Sequence, residues 1–115
     1  MKLFIDDDRD PVRYLGRERG SEMTWIKTWR DARKTLLDNR DELTEIHFDH
    51  FLGGSHTGGE LFEMVATRKV LGGEYPNLTD VYLHSSDIKI VEKLIRSYGA
   101  RLAKVGVTLH NNSRG

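Results

Sequence analysis

The sequence predicts a single α/β domain whose sheet is mostly parallel. Short apolar runs with strand character alternate along the chain with segments in which apolar residues recur at helical spacing. This alternation is typical of parallel strands that are joined by helical crossovers. A chain of 115 residues has room for one modest core, so we expect one domain over residues 1–115.

The first half of the chain is predicted to hold three strands and one helix. Residues 2–6 are a short apolar run closed by aspartates, which indicates a buried strand that ends at a polar edge. Residues 9–20 contain proline and glycine without a sustained helical period, so we expect a loop or at most one turn of helix. Aromatic and β-branched content predicts a strand over 23–26. Apolar residues at helical spacing predict a helix over 29–39, and alternation of apolar and polar residues predicts a strand over 44–49.

The second half repeats the pattern of helix and strand. The predicted elements are a flexible glycine-rich connection over 53–59, a helix to about residue 70, a strand over 81–83, a helix that Asp87 caps and Gly99 ends, and a strand over 105–109. His110 then follows the end of the fifth strand. The five residues after it are too few for a closing helix.

Composition excludes several classes of function. The chain has no cysteine, which rules out disulfides, thiolate nucleophiles and Cys-ligated metal sites. No apolar run approaches the ~20 residues that span a bilayer, so we expect a cytoplasmic protein without a membrane partner. Lys and Arg number 18 and Asp and Glu number 18, so the formal charge is zero and nucleic-acid binding is disfavoured. The sequence leaves the oligomeric state open.

Polar side chains follow the ends of four of the predicted strands. Right-handed crossovers bring these ends to one edge of the sheet, where open α/β sheets bind ligands. The residues at this edge are Asp6, Asp7, Asp8, Asp49, His50, His84, Ser85 and His110. Because side chains alternate, at most two of the three consecutive aspartates converge with Asp49. Converging carboxylates suit Mg²⁺, Mn²⁺ or Ca²⁺; the alternative is that they only end the strand and cap the next segment.

An aspartate pair after strand one and a third aspartate after strand three resemble the acidic pocket of response-regulator receiver domains. Asp6, Asp7 and Asp49 occupy these positions. The resemblance implies that the pair holds a divalent metal, Mg²⁺ or Mn²⁺, and that Asp49 corresponds to the phosphoryl-accepting residue. Receivers also carry Thr or Ser after strand four and Lys after strand five. Here those strands end in His84-Ser85 and in His110.

Three longer strings resemble a narrower group, the cyclic-phosphate processing receiver domains of bacteria and phages. They are Leu3-Phe4-Ile5-Asp6-Asp7-Asp8-Arg9-Asp10-Pro11, Phe48-Asp49-His50-Phe51-Leu52-Gly53-Gly54 with the following Thr57-Gly58, and Val81-Tyr82-Leu83-His84-Ser85-Ser86. Phe51 stands where the family usually has Asp. The resemblance implies a flavodoxin-like three-layer fold with strand order 2-1-3-4-5, a reduced first helix and no closing helix.

The same resemblance implies a phosphoesterase that opens a cyclic phosphate on a nucleotide or an ADP-ribose-like metabolite. Ring opening needs a base, an acid and positive charge near the phosphorus. His50 and His84 are the candidate acid and base, with Asp49 and Ser85 as further catalytic residues. Arg9 and His110 are candidate substrate-binding residues.

Competing interpretations remain for these residues. A lone histidine is more often structural, and we assign His47 and His56 no catalytic role. Arg13, Arg17 and Arg19 are typical of a solvated basic loop; the alternative is that they recruit the anionic part of a nucleotide whose base stacks on Tyr14 or Trp25. The chain could instead be a degenerate receiver that binds a partner or sequesters a nucleotide without chemistry, or an ordinary phosphoryl-accepting receiver.

Overall fold

A computed structural model describes residues 1–50, 52 and 54–113, and within them it contains five strands and five helices. In chain order the elements are β1 (Lys2–Ile5), α1 (Pro11–Leu15), α2 (Arg17–Ser21), β2 (Met23–Ile26), α3 (Trp29–Asp38), β3 (Glu45–Asp49), α4 (Gly58–Gly72), β4 (Asp80–His84), α5 (Ile88–Lys104) and β5 (Thr108–Asn111). Phe51 and Gly53, on which two of the sequence predictions fall, lie outside the described residues.

The strands form one five-stranded sheet in the order β2-β1-β3-β4-β5, and every pairing is parallel. This confirms the predicted α/β class and the flavodoxin-like, receiver-type order. No helix follows β5 within the described residues, as expected. None of the described helices is long and apolar enough to cross a membrane.

The two faces of the sheet carry different side chains because residues alternate along each strand. On one face apolar residues pack against α3, α4 and α5 in one buried cluster, which includes Leu3, Ile46, Phe48, Val81 and Leu83. The other face carries aromatic and polar side chains and is covered by the short α1, whose tyrosine ring contacts those of the sheet. We call this second face the polar face.

The expectation of a loop or single turn over residues 9–20 is wrong, because two helices of five residues each occupy this segment. Asp10 caps α1 by accepting from the Val12 amide, and Pro11 occupies the first turn, where its missing N–H is not needed. A Cβ on Gly20 would lie 2.4 Å from Val12 Cα, so glycine allows the two helices to pack closely. Close packing, rather than apolar periodicity, makes this segment helical.

The predicted end of the last helix is also wrong. The helix α5 continues through Gly99 to Lys104, because the buried Leu102 anchors its final turns in the core. The positive φ of 81° falls on Gly106 instead, where the chain turns into β5. The fifth strand therefore covers Thr108–Asn111 rather than 105–109, and His110 lies within the strand instead of after it.

Candidate active site at the carboxyl edge of the sheet

Three aspartates converge at the carboxyl edge of β1 and β3. Carboxylate oxygens of Asp6, Asp7 and Asp49 all lie within 4.8 Å of one another. Asp6 is buried, Asp7 is exposed and Asp49 is half-buried, so the cluster extends from the sheet to the surface. This is the convergence expected from the sequence, and we call these three residues the acidic cluster.

Asp6 is the most constrained member of the acidic cluster. Its Oδ1 accepts hydrogen bonds from the backbone amides of Asp8 and Arg9, each at 2.9 Å. Its Oδ2 is buried without a hydrogen-bond partner among the described residues. Burial raises the pKa of the Asp6 carboxyl, because the ionised form loses its hydration. A buried carboxylate oxygen without a partner beside two further carboxylates fits a divalent cation with a preference for oxygen ligands.

His84 ends β4 next to Asp49 in the strand register and belongs to a buried chain of side chains on the polar face. Its Nε2 lies 2.7 Å from His47 Nδ1, and its Nδ1 lies 3.2 Å from the Tyr14 hydroxyl. His47 Nε2 in turn lies 2.8 Å from Glu45 Oε2. The chain therefore runs from Glu45 in β3 to Tyr14 in α1.

The carboxylate at one end determines which nitrogens of this chain carry hydrogen. Glu45 only accepts when ionised, so His47 Nε2 is the donor. Burial lowers the pKa of His47, which keeps the ring neutral and leaves a lone pair on Nδ1. That nitrogen accepts from His84 Nε2–H. In the neutral tautomer of His84 with hydrogen on Nε2, Nδ1 is the acceptor for the Tyr14 hydroxyl.

His50 follows β3 and is held by the first turn of α4. Its carbonyl accepts from the Gly58 amide at 2.8 Å. A Cβ on Gly58 would lie 1.7 Å from the Asp49 carbonyl oxygen, and one on Gly59 would lie 2.7 Å from His50 Nδ1. Glycine is thus required at both positions for α4 to begin here. Burial lowers the pKa of the His50 imidazole.

His50 and His84 line one cavity, but it is narrow. Its volume is ≈ 10 Å³, which is at the lower limit for holding one water. His84 bonds to residues of the polar face, whereas His50 packs against α4. Their assignment as an acid and base on opposite sides of one phosphorus stays a prediction.

Ser85 is buried directly after β4, where its Oγ accepts from the Asp87 amide at 3.0 Å. Asp87 then caps α5 by accepting from the Ile90 amide, as the sequence predicts. The Ser85 hydroxyl therefore holds the turn between β4 and α5. Its proposed contact with a phosphoryl oxygen stays a prediction.

Arg9 is bonded to the acidic cluster through its backbone amide, which donates to Asp6 Oδ1. Its guanidinium carbon is 5.1 Å from the centre of the Tyr14 ring. Both residues line an open cavity of ≈ 630 Å³, a volume typical of small-molecule sites. The predicted substrate-binding role of Arg9 is compatible with this position.

His110 does not lie at the carboxyl edge. It pairs with Tyr82, two residues before His84, and its Nε2 lies 2.9 Å from Asp80 Oδ1. That hydrogen bond lowers the pKa of the Asp80 carboxyl. The Tyr82 ring stacks between those of His47 and His110, at 4.3 and 4.1 Å. The expected edge position of His110 is therefore wrong, because β5 begins three residues later than predicted.

The structure adds three residues to which the sequence assigns no catalytic role: Tyr14, Glu45 and His47. The alternation Glu45-x-His47-x-Asp49 was a usable signal, because a strand puts these three side chains on one face. The other histidine left unassigned, His56, stacks on Trp29 at 4.3 Å and lies away from this chain.

Comparison with solved structures supports the fold. The chain is similar to a response regulator protein from Burkholderia pseudomallei, whose crystal structure contains a phosphorylated aspartic acid, a calcium ion and citrate. The TM-score is 0.58 at 17% identity over 96% of this chain, which spans 58% of that protein's chain. At this identity the likeness concerns the fold alone. No curated protein gives a significant match.

A family model identifies the sequence more narrowly. The model of the Cyclic-phosphate processing Receiver domain matches residues 1–99, which include the acidic cluster, the buried chain from Glu45 to Tyr14, and His50. Only the end of α5 and β5 fall outside the match. The chain belongs to the Cyclic-phosphate processing Receiver domain family.

Proposed function

We propose that the protein is a phosphoesterase that opens a cyclic phosphate on a nucleotide or an ADP-ribose-like metabolite. The observation that carries this proposal is the position of His84 beside Asp49 in adjacent strands. A cluster of three carboxylates and a buried, hydrogen-bonded imidazole thus occur at one sheet edge. Metal-assisted and acid–base catalysis of phosphate esters need these two kinds of group together.

The acidic cluster would hold Mg²⁺ or Mn²⁺ through Asp6, Asp7 and Asp49. A divalent cation there would withdraw negative charge from the phosphoryl oxygens. The buried Asp6 Oδ2, which has no partner among the described residues, supports this assignment. Asp6 is also fixed by two backbone amides, so its free oxygen needs no rearrangement to bind a cation.

Ring opening forms a bond between phosphorus and a water oxygen and breaks one ester bond of the ring. The water loses a proton, and the departing sugar oxygen gains one. His84 Nδ1 lies within hydrogen-bond distance of the Tyr14 hydroxyl, and Tyr14 lines the open cavity of ≈ 630 Å³. These two groups are therefore suited to hold or pass one of the protons. We assign the other transfer to His50, with Arg9 and Ser85 contacting phosphoryl oxygens.

Turnover of a panel of cyclic phosphates, with and without Mg²⁺ or Mn²⁺, tests the proposal. We expect His84→Ala to abolish turnover and Tyr14→Phe to reduce it by about 10²-fold, the usual contribution of one acid–base group. His56→Ala is the matched control, because this exposed histidine stacks on Trp29 outside the site. No turnover by the wild-type protein, or unchanged turnover in His84→Ala, would exclude the phosphoesterase.

A non-catalytic binding or signalling module is the second candidate. The cavity that His50 and His84 both line favours it, because a volume of ≈ 10 Å³ does not hold a phosphate. Tight binding of an intact nucleotide without product would support it. Labelling of Asp49 by acetyl phosphate would instead indicate an ordinary phosphoryl-accepting receiver.

A further inference from the structure

The open cavity of ≈ 630 Å³ lies beside the acidic cluster, between the segment that leads into α1 and the edge strand β2. Its lining residues are Asp8, Arg9, Asp10, Arg13, Tyr14 and Trp25. The sequence assigns Arg9 to substrate binding and offers Arg13, Tyr14 and Trp25 only as alternatives to a solvated loop. The cavity is large enough for a small organic ligand rather than for a phosphate alone.

Hydrogen bonds to Asp6 tie this cavity to the acidic cluster. The indole Nε1 of Trp25 donates to the Asp6 backbone oxygen at 2.8 Å. The amides of Asp8 and Arg9 donate to the Asp6 carboxylate. Three of the six lining residues are therefore bonded directly to one member of the cluster. A phosphate ester bound at the cluster would extend its organic part into this space.

The cavity walls combine aromatic rings with the guanidinium groups of Arg9 and Arg13. Neither Arg9 nor Arg13 forms a salt bridge within the described part of the chain. The carboxylate of Asp10 accepts from the Val12 amide, whereas that of Asp8 is exposed. Guanidinium groups that face a cavity with their donors unused are suited to a planar or phosphate anion.

Trp25 provides the surface suited to an aromatic ligand. Its indole is fixed by the bond to Asp6, and Lys27 Nζ lies 4.3 Å from the ring centre. Because the indole is already held in place, a ligand that stacks on it costs little further conformational entropy. Stacking of a base on an aromatic side chain is a common mode of nucleotide recognition.

We propose that this cavity binds a nucleotide that carries a second phosphate in addition to the cyclic one. The base stacks on Trp25, the second phosphate pairs with Arg13, and Arg9 keeps its contact with the cyclic phosphate. This inference rests on the proposed function, because it places the cyclic phosphate at the acidic cluster. It narrows the substrate class to a mononucleotide with two phosphate groups.

Fluorescence of Trp25 tests the proposal without any need for turnover. The chain has two tryptophans, so Trp29→Phe leaves Trp25 as the sole indole emitter. This substitution removes a buried indole N–H that has no partner among the described residues, so the fold should tolerate it. The probes, in Mg²⁺ buffer, are adenosine 2′,3′-cyclic phosphate with and without a 5′-phosphate, and a ribose cyclic phosphate without a base.

We expect the doubly phosphorylated nucleotide to quench Trp25 and the ligand without a base to leave it unchanged. Removing the 5′-phosphate should weaken binding about 10-fold, the usual effect of losing a charge-assisted hydrogen bond. Arg13→Gln should weaken binding of the doubly phosphorylated nucleotide by a similar factor and leave the other nucleotide unaffected. Arg17→Gln, in α2 and outside the cavity lining, is the matched control.

Three results would overturn the inference: equal affinity with and without a base, equal effects of Arg13→Gln on both nucleotides, or tighter binding of an RNA oligonucleotide that ends in a cyclic phosphate. The outcomes remain separable from those of the proposed function. Quenching without product would support the cavity assignment and refute the phosphoesterase. Equal turnover of cyclic phosphates with and without a base would support the phosphoesterase and refute the cavity assignment.

Discussion

Replacing Asp6 by Asn separates the role of this residue in cation binding from its role in folding. The amide keeps an oxygen that can accept from the Asp8 and Arg9 amides, as Asp6 Oδ1 does. The amide nitrogen then replaces the buried Oδ2, and the side chain no longer contributes a carboxylate to the acidic cluster. The variant should therefore fold but should lose the buried cation ligand.

The expected magnitude follows from linkage between binding and folding. A cation at 100 times its Kd stabilises the native state by about 2.7 kcal/mol. For a domain of this size 1 kcal/mol raises the Tm by roughly 4 °C, so we expect a rise of about 10 °C in the wild-type protein. Asp6→Asn should reduce this rise to below about 2 °C. Circular dichroism melts with Mg²⁺, with Mn²⁺ and with EDTA measure both values.

Without a cation, the same variant should be at least as stable as the wild-type protein near neutral pH. Burial raises the pKa of Asp6, so the folded state holds its proton more tightly than the unfolded chain. Stability is therefore lost as pH rises from the ordinary carboxyl range through the folded pKa. Asn carries no such cost, and the advantage of the variant should vanish as pH falls.

Asp41→Asn, at an exposed position between α3 and β3, makes the same change of charge and should keep the full response to metal. A rise of about 10 °C in Asp6→Asn would show that the cation does not need this carboxylate. A metal-free variant that melts well below the wild-type protein at neutral pH would refute the argument from burial.

Further predictions concern the glycines and histidines around the site. Gly58→Ala places a Cβ 1.7 Å from the Asp49 carbonyl oxygen and should lower the free energy of unfolding in urea by about 3 kcal/mol or more. Gly54→Ala, where φ is +92° but nothing lies within 4 Å, should cost only about 1–2 kcal/mol; equal losses would contradict the packing argument. Because burial lowers the pKa of His50, the free energy of unfolding should fall as pH drops below about 6.5. Urea denaturation at about pH 7 and about pH 5.5 should show a smaller fall for His50→Asn than for the wild-type protein. His110→Gln should leave turnover within about twofold and the free energy of unfolding within about 0.5 kcal/mol, because the hydrogen bond between His110 and Asp80 is partly exposed; a large loss of turnover would return His110 to the site.

Local patterns were sufficient to predict the strands, but not the ends of the helices. An apolar run closed by polar residues identifies a buried strand such as β1 without knowledge of its neighbours. The end of α5 depends instead on Leu102, whose burial carries the helix beyond Gly99. A glycine inside a helix costs only about 1 kcal/mol, which burial of one leucine exceeds. Tertiary packing thus overrode the local stop signal.

The acidic cluster was predictable for the same reason, because parallel topology determines where strand ends meet. The contact between Tyr14 and His84 was not, since 70 residues separate them and α1 has too few residues to show a period. His47 was assigned no role because a histidine within a strand is usually structural. Its partner at the far end of the ring chain, Glu45, has no signature other than alternation along β3.

The connection between β3 and α4 is tightly packed at Gly58. A Cβ on Gly58 would lie 1.7 Å from the Asp49 carbonyl oxygen, which is a backbone atom, whereas a Cβ on Gly59 would meet the His50 side chain at 2.7 Å. A displacement of the Asp49 backbone must therefore move the start of α4 or disrupt the packing at Gly58. The helix has 15 residues, so its far end lies about 22 Å away. The close contact at Gly58 thus couples the position of Asp49 to that of α4.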